Sequence, residues 1–363
     1  MPGGEVHGDQ YMDAMWRRAG LVLMGGLCLT TGMAQAQTAE EFYRKTKEVT
    51  LVLSAGIGGG YSAYGRLLSH HIGRYLPGSP TIIVQNLPGG GGLRATNFLY
   101  NTAAKDGSVI GLVHAAVPLV PLYGVETARF DSTKFNWIGS MNRSRSICIS
   151  WHNSPIKNWQ DMLDKEFVVG GTGAGAGAVN IPTMLNAIFN TKIKIIAGYS
   201  GGNDIFLAME RGEVHGRCGG LVTAIRSTRP EWFAEQKINI AVQIALERNP
   251  AFPDVPTVME FVTNDRDRAI LELVFAPQDM DRPVLAPPGV PPDRVALIRK
   301  AFMATFDDAE FQAEATKQRL DLEAVDGEKL ALLMARLYRI PPEVLADAKK
   351  ILRPEGVEGG ADE

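Results

Sequence analysis

The chain has 363 residues, of which 45% are hydrophobic and 21% are charged, and its formal net charge is -3. This length accommodates two domains with hydrophobic cores of their own, and the composition is that of an ordinary globular protein. The charge excludes the strongly basic character that is typical of nucleic-acid-binding proteins, so we expect no nucleic-acid partner.

The N-terminal segment has the order of a secretory signal peptide. Arg17-Arg18 precede an apolar run over 19–29, and Ala34-Gln35-Ala36 supplies the small residues of a cleavage site. The apolar run is shorter than the about 20 residues that are needed to span a membrane. We therefore expect residues 1–36 to be a signal peptide, with residues 1–11 upstream of the true start, and the mature protein to be periplasmic.

From residue 37 onward, short apolar runs alternate with glycine-rich turns and amphipathic stretches. A polar leader over 37–48 predicts a short helix. The next apolar runs predict strands over 49–53, 81–84 and 109–113, and the residues between them predict helices over 61–75 and 93–100.

A second block of the same kind starts near residue 140. It contains predicted strands over 147–151, 167–169, 194–197, 214–218 and 239–244, with helices over 180–189 and 203–211. The tail after about residue 290 has helical spacing and no apparent strands, so we expect it to pack back on the first block.

Alternating strands and helices predict parallel sheets with helices on both faces, and two such blocks predict two α/β lobes. We place the first lobe at 37–142 plus 245–363 and the second lobe at 143–244. The strand over 239–244 then returns the chain to the first lobe.

Glycine is abundant, with 39 residues, and many of them lie in four turns that each follow a predicted strand and precede a predicted helix. These turns occupy 56–60, 88–92, 170–177 and 198–202. Backbone N–H groups without side chains can approach a ligand closely, and the following helix adds a partial positive charge. In open α/β sheets, ligands bind beyond the carboxyl ends of the strands, so the turns predict an anion-binding cleft.

An enzymatic alternative comes from the fourth turn, because Gly198-Tyr199-Ser200-Gly201-Gly202 matches the G-x-S-x-G pattern of serine hydrolases. His215 is the only histidine after Ser200, and the acids between them lie on or beside one short helix. A catalytic triad needs three groups that converge from separate elements, which this spacing disfavours. We keep a secreted serine hydrolase as an alternative, and expect no catalytic residues.

Neither a metal nor a cofactor is predicted. His70 and His71 are adjacent, so they should point to different faces of a helix, and we expect them to be exposed or half-buried at the surface. The chain contains no P-loop pattern, and its one loose dinucleotide pattern, over 171–176, lacks the acid that should follow about 20 residues later.

Several motifs, taken in order, resemble the receptors of tripartite tricarboxylate transporters, the Bug-type periplasmic binding proteins. The matching segments are GGGYSAYGRLL (58–68), YLPGSP (75–80), VQNLPGGG (84–91), KDG (105–107), GYSGG (198–202), GEVHG (212–216), FPDVPT (252–257) and APPGVP (286–291). The resemblance extends over roughly residues 46 to 350.

This resemblance implies a two-lobed periplasmic-binding-protein fold of type II, a Venus flytrap with two hinge strands. It also implies a receptor that binds a small organic carboxylate, with di-, tri- and aromatic carboxylates all open. Carried over residue by residue, the implied ligand contacts are Gly59, Gly60, Tyr61, Ser62, Asn86, Gly89, Gly90, Gly91 and His114 in the first lobe, and Thr172, Gly173, Tyr199 and Gly201 in the second.

The resemblance further implies integral membrane permease subunits as partners and a monomeric receptor. A receptor that senses the same ligand for a signalling partner is compatible with this fold and remains an alternative.

One position departs from the family pattern. The family has Asp after the first glycine turn, whereas this chain has Ser62, which can cap the next helix and donate to a carboxylate. We therefore expect a ligand that is more anionic or less amine-like. Equal binding of the same ligand by a Ser62→Asp variant would contradict this hypothesis.

Two cysteines, Cys148 and Cys218, remain after the signal peptide. In an oxidising compartment they can form a disulfide, and two buried free thiols are the alternative. The implied fold places their strands side by side, which makes a cross-strand disulfide sterically feasible.

Overall fold

The structure is a computed structural model that describes residues 37–57, 59–173 and 176–352. The chain divides into two units, Met1–Gln37 and Thr38–Glu363, and almost all of the described residues belong to the second. The predicted signal peptide lies outside the described ranges. Among the described helices, none combines the length and apolar character that a membrane-spanning helix requires.

The strands and helices follow the predicted alternation closely. The strands are β1 (Glu48–Leu53), β2 (Thr81–Asn86), β3 (Val109–Leu112), β4 (Asn136–Ser140), β5 (Ser146–Trp151), β6 (Phe167–Gly170), β7 (Ile193–Ile196), β8 (Gly216–Leu221), β9 (Ile238–Ile244), β10 (Pro283–Ala286) and β11 (Val325–Asp326). The α-helices are α1 (Ala39–Lys45), α2 (Gly59–His71), α3 (Leu93–Asn101), α4 (Trp159–Asp164), α5 (Gly177–Phe189), α6 (Gly202–Glu210), α7 (Val222–Thr228), α8 (Glu231–Ala234), α9 (Asp265–Asp279), α10 (Pro292–Phe306), α11 (Ala309–Gln318), α12 (Gly327–Leu337) and α13 (Pro342–Leu352).

The first sheet has the strand order β11-β4-β10-β3-β1-β2. β1 runs parallel to both neighbours, so that Leu53 lies opposite Asn86 on β2 and opposite Leu112 on β3. The carboxyl ends of these three strands therefore form one edge. β10 and β11 pair antiparallel with β4, and β10 also pairs antiparallel with β3.

The second sheet has the strand order β7-β6-β8-β5-β9. β6 runs parallel to β7, with Gly170 opposite Ile196, and parallel to β8, with Val169 opposite Gly216. β5 pairs antiparallel with β8 and β9. The parallel strands β6, β7 and β8 thus have their carboxyl ends at one edge, as β1, β2 and β3 do in the first sheet.

Both sheets are buried on both faces. Successive side chains of a strand point to opposite sides of the sheet, and helices cover each side. On β1, Leu51 packs with α2 and α10, whereas Val52 packs with α3 and α12. On β5, Cys148 packs with α5 and α9, whereas Ile147 packs with α6 and α7. The predicted α/β architecture, with two sheets that each have helices on both faces, is confirmed.

The sequence predicted parallel sheets, but some strands of each sheet pair antiparallel, so both sheets are mixed. The prediction that the tail has no strand is also wrong, because β11 extends the first sheet beside β4. β11 has only two residues, too few to give a recognisable alternation of apolar and polar positions.

The rest of the tail packs largely as predicted, since α10 to α12 cover the first sheet. Two helices contact the cores of both lobes. Leu273 of α9 packs with the first sheet while Phe275 packs with the second, and α13 contacts both α5 and α9. The lobe boundaries at 142, 143, 244 and 245 stay a prediction.

Candidate ligand-binding site

All four glycine turns connect the carboxyl end of a parallel strand to a helix. The first turn joins β1 to α2 and the second joins β2 to α3, whereas the third joins β6 to α5 and the fourth joins β7 to α6. The structure therefore gathers the predicted contact residues into two sets, one at the edge of each sheet. That the two sets face a common cleft stays a prediction.

The second turn needs glycine for its backbone conformation. Gly89, Gly90, Gly91 and Gly92 have φ values of 136°, 54°, 60° and 107°, a run that L side chains rarely adopt. The first three are exposed, while Gly92 is buried. A Cβ on Gly92 would lie 2.8 Å from His114 Nδ1, so this glycine also lets the turn approach the end of β3.

Tyr61 links three segments of the first lobe. Its hydroxyl donates to the Asp281 carbonyl oxygen at 2.9 Å and accepts from the Ala115 N–H at 3.0 Å. The ring stands edge-on to the His114 ring, with centroids 4.3 Å apart. Burial raises the pKa of Tyr61, so the hydroxyl stays neutral.

His114 is half-buried beside the same turns. Its Nδ1 lies 3.2 Å from Ser54 Oγ, at the end of β1. Burial lowers the pKa of His114 and the nearby Arg282 charge lowers it further, against a hydrogen bond with the Gly91 backbone. The ring is therefore neutral at pH 7 and does not offer a positive charge to a ligand.

Arg282 is a residue that the sequence analysis missed. Its guanidinium carbon lies 4.3 Å from the centroid of the Tyr61 ring and 4.9 Å from that of Tyr64, and a Cβ on Gly60 would lie 3.5 Å from its Nη2. Asp281 Oδ1 accepts from Nη1 at 2.5 Å. No local signal marks Arg282, which lies more than 200 residues from Tyr61 in the chain.

Asn86 and Ser62 were both predicted to contact the ligand, and their environments differ. Asn86 Nδ2 donates to the Ala55 carbonyl oxygen at 2.7 Å, which ties the second turn to the first. Ser62 is fully buried inside α2, and its hydroxyl has no hydrogen-bond partner among the described residues. Since α2 already includes Gly59, Ser62 does not cap the helix as the sequence suggested.

In the second lobe, the third and fourth turns are joined by backbone hydrogen bonds. Gly198 N–H donates to the Thr172 carbonyl oxygen at 2.9 Å, and Tyr199 N–H donates to the Gly171 carbonyl oxygen at 3.2 Å. Apart from the glycine itself and the two residues adjacent to it in the chain, no described atom lies within 4 Å of a Cβ placed on Gly173 or Gly201. Both turns thus leave open space beside their backbone.

Comparison with known proteins agrees with this geometry. The family model described as "Tripartite tricarboxylate transporter family receptor" matches residues 70–337, which is well over half of the chain. The chain belongs to this family. A search among curated protein sequences found no significant match.

Two of the solved structures that the comparison found cover most of this chain. A TctC solute binding protein from Polaromonas superposes with a TM-score of 0.63 at 18% identity, over 84% of this chain and 97% of that one. An R. palustris protein with adipate gives a TM-score of 0.48 at 16% identity, over 84% and 97%. The first shows that the predicted two-lobed periplasmic-binding-protein fold is present in this chain.

In this receptor, Cys148 and Cys218 lie on the adjacent strands β5 and β8. Their sulfur atoms are 2.07 Å apart, which is a bonded distance, and their Cα atoms are 4.0 Å apart. The register between β5 and β8 shifts beside Cys148, between Ile147 and Ile149. The disulfide joins two neighbouring strands of the second sheet.

The geometry around Ser200 disfavours hydrolysis. Ser200 is exposed in the turn after β7, beyond the carboxyl edge of the sheet. His215 lies at the opposite end of β8, and its Nδ1 accepts from the Val168 N–H at 3.2 Å. The family itself is one of receptors rather than enzymes.

The two adjacent histidines differ in burial. His70 is exposed as expected, but His71 is buried, because its ring packs against Phe311 and its Nε2 lies 2.7 Å from Glu314 Oε2. His71, Asp308 and Glu310 bring one ligand atom each within 4.8 Å of the others. Arg74 pairs with the carboxylates of Asp308 and Glu310, at 2.8 and 2.6 Å, and so offsets one of their two negative charges.

Proposed function

We propose that this receptor captures a small organic carboxylate in the periplasm and delivers it to the integral membrane subunits of a tripartite tricarboxylate transporter. The observation that carries the proposal is the arrangement of four glycine turns at the carboxyl edges of parallel strands, two in each lobe. Backbone N–H groups in such turns bind anions without any charged side chain. Family membership supports the same role.

We assign the ligand contacts to the two sets of turn residues. In the first lobe these are Gly59, Gly60, Tyr61, Asn86, Gly89, Gly90, Gly91 and His114, and in the second they are Thr172, Gly173, Tyr199 and Gly201. We assign no direct ligand contact to Ser62, because its side chain is buried inside α2. The neutral His114 ring offers a hydrogen bond rather than a charge.

The mechanism we propose is capture by closure. The lobes hinge around the ligand, and closure removes water from the carboxylate. Hydrogen bonds from N–H groups to an ionised acceptor are stronger than neutral ones, and they strengthen further where water is excluded. The open and closed forms then present different surfaces to the permease, and a monomer is sufficient for this cycle.

A thermal-shift screen of residues 37–363 tests the proposal. The panel contains succinate, malate, citrate, adipate and benzoate, and the control is the neutral amide of each acid. A ligand that binds only the native state raises the melting temperature by mass action. We expect a rise with one class of acid and none with its amide.

No rise with any acid would contradict the carboxylate assignment. Ester hydrolysis that a Ser200→Ala substitution abolishes would favour the hydrolase instead.

A further inference from the structure

Arg217 lies at the carboxyl edge of the second sheet. It is the second residue of β8, and because Gly216 lies opposite Val169, Arg217 stands level with Gly170, where the third glycine turn begins. Its neighbour Cys218 is bonded to Cys148, so the disulfide holds this part of the strand in place. Arg217 is therefore firmly positioned beside the turns.

The side chain of Arg217 reaches the start of α6. Its guanidinium carbon lies 5.5 Å from the centroid of the Phe206 ring, on the face of the sheet opposite to the disulfide. Any side chain at residue 202 would collide with Arg217 Nη1. The guanidinium thus lies against Gly202, the first residue of α6 and the end of the fourth turn.

No described residue neutralises this charge. Arg217 is half-buried, forms no ion pair with a described carboxylate, and has a buried Nε without a hydrogen-bond partner among the described residues. Asp204 lies in the first turn of α6 but is not within ion-pair distance. Burial lowers the pKa of Arg217.

At three other partly or fully buried arginines, a carboxylate compensates the positive charge. Arg143 Nη1 lies 2.8 Å from Glu247 Oε2, Arg145 forms a two-pronged pair with Glu323, and Arg282 pairs with Asp281. A half-buried guanidinium without a carboxylate is energetically unfavourable. The start of α6 adds to this unfavourable energy, because the N-terminus of a helix carries a partial positive charge and no side chain caps the N-terminus of α6.

We propose that Arg217 is the charged anchor for the ligand in the second lobe, where its guanidinium takes one carboxylate of the ligand as its counter-charge. Arginine binds carboxylates through two parallel N–H···O hydrogen bonds, which suits a planar carboxylate better than a neutral or cationic group. This inference rests on the proposed function and deepens it, because it assigns the charge recognition to one residue.

The test compares Arg217→Met with Arg211→Met by isothermal titration calorimetry, using the acid from the panel that binds best. Arg211 is exposed just after the other end of α6, so its substitution removes the same charge from the same lobe. We expect Kd to rise about 10- to 100-fold for Arg217→Met and less than about twofold for Arg211→Met. Arg217→Lys keeps the positive charge but cannot form two parallel hydrogen bonds, so its Kd should lie between those of the wild type and Arg217→Met.

The melting temperature of the ligand-free protein gives a second readout. Removal of an uncompensated charge should raise it in Arg217→Met, whereas a merely structural arginine would lower it when lost. The Gly202→Ala substitution, which displaces the guanidinium, should weaken binding in the wild-type background and have no further effect in Arg217→Met.

The outcomes separate the two proposals. If the wild type binds an acid and Arg217→Met binds it with the same affinity, the proposed anchor is wrong and the proposed receptor function stands. Failure of the wild type to bind any acid of the panel would overturn the carboxylate assignment, and the anchor with it.

Discussion

The two lobes present glycine turns at equivalent sheet edges, but they support these turns differently. In the first lobe, the Tyr61 ring contacts the His114 ring edge-on and the Arg282 guanidinium through its face, and Asp281 neutralises Arg282. In the second lobe, backbone hydrogen bonds join the third turn to the fourth, and Arg217 has no counter-charge among the described residues.

This difference shows that glycine turns of similar backbone geometry can have different roles in ligand recognition. The first lobe is organised before a ligand arrives, because Tyr61 already contacts His114, Arg282 and the Asp281 carbonyl oxygen. On our proposal, the second lobe supplies the charge that an anion must neutralise, so binding of the anion favours the closed form. The experiments below perturb one lobe at a time.

The largest expected effect belongs to the second lobe. A Cys148→Ser/Cys218→Ser variant loses a cross-link between residues 70 positions apart in the chain. Loss of such a disulfide should lower the free energy of unfolding by about 2–5 kcal/mol. Urea unfolding of both proteins measures the change, and hydrogen exchange should show the loss of protection on β5 and β8 rather than on β1. Two free thiols in the unreduced wild-type protein, detected by mass spectrometry, would contradict the bond.

A smaller effect is expected in the first lobe from Gly92→Ala. The new Cβ would meet His114 Nδ1 at 2.8 Å and Val117 Cγ2 at 3.0 Å, in a backbone conformation that alanine disfavours. We expect a loss of about 1–3 kcal/mol in the free energy of unfolding. Gly91→Ala is the matched control, because it has a φ of 60° but open space around its Cβ. Equal losses in the two variants would show that the approach to His114 is unimportant.

The smallest expected effect is on the pH dependence of stability. The pKa of His114 lies below its ordinary value of 6.5 in the folded protein, so the unfolded chain binds the proton more readily. The contribution of His114 is therefore complete above pH 6.5 and is lost as the pH falls through the folded pKa. Unfolding measured between pH 8 and 5 should show a shallower decline in His114→Gln than in the wild type. Parallel curves would mean that His114 is not linked to stability.

Local features of the sequence determined much of the fold. Each glycine turn lies between the strand and the helix that the sequence predicted. A glycine cluster after an apolar run is a local signal, because the turn that it forms depends on only a few neighbouring residues. The order of motifs such as VQNLPGGG and GYSGG sufficed to indicate the receptor family, which the family match confirms. The antiparallel strands β10 and β11 escaped notice because they are short and their partners lie far away in the chain.

Charge compensation was decided only by the tertiary structure. From the sequence, Arg217 and Arg282 are two arginines among 37 basic residues, and neither lies in a recognisable binding motif. Folding places a carboxylate against Arg282 but none of the described carboxylates against Arg217, and it buries His71 while leaving its neighbour His70 exposed. The physical reason is that a turn is specified by adjacent residues, whereas the environment of a charge depends on side chains that only the packed chain brings together.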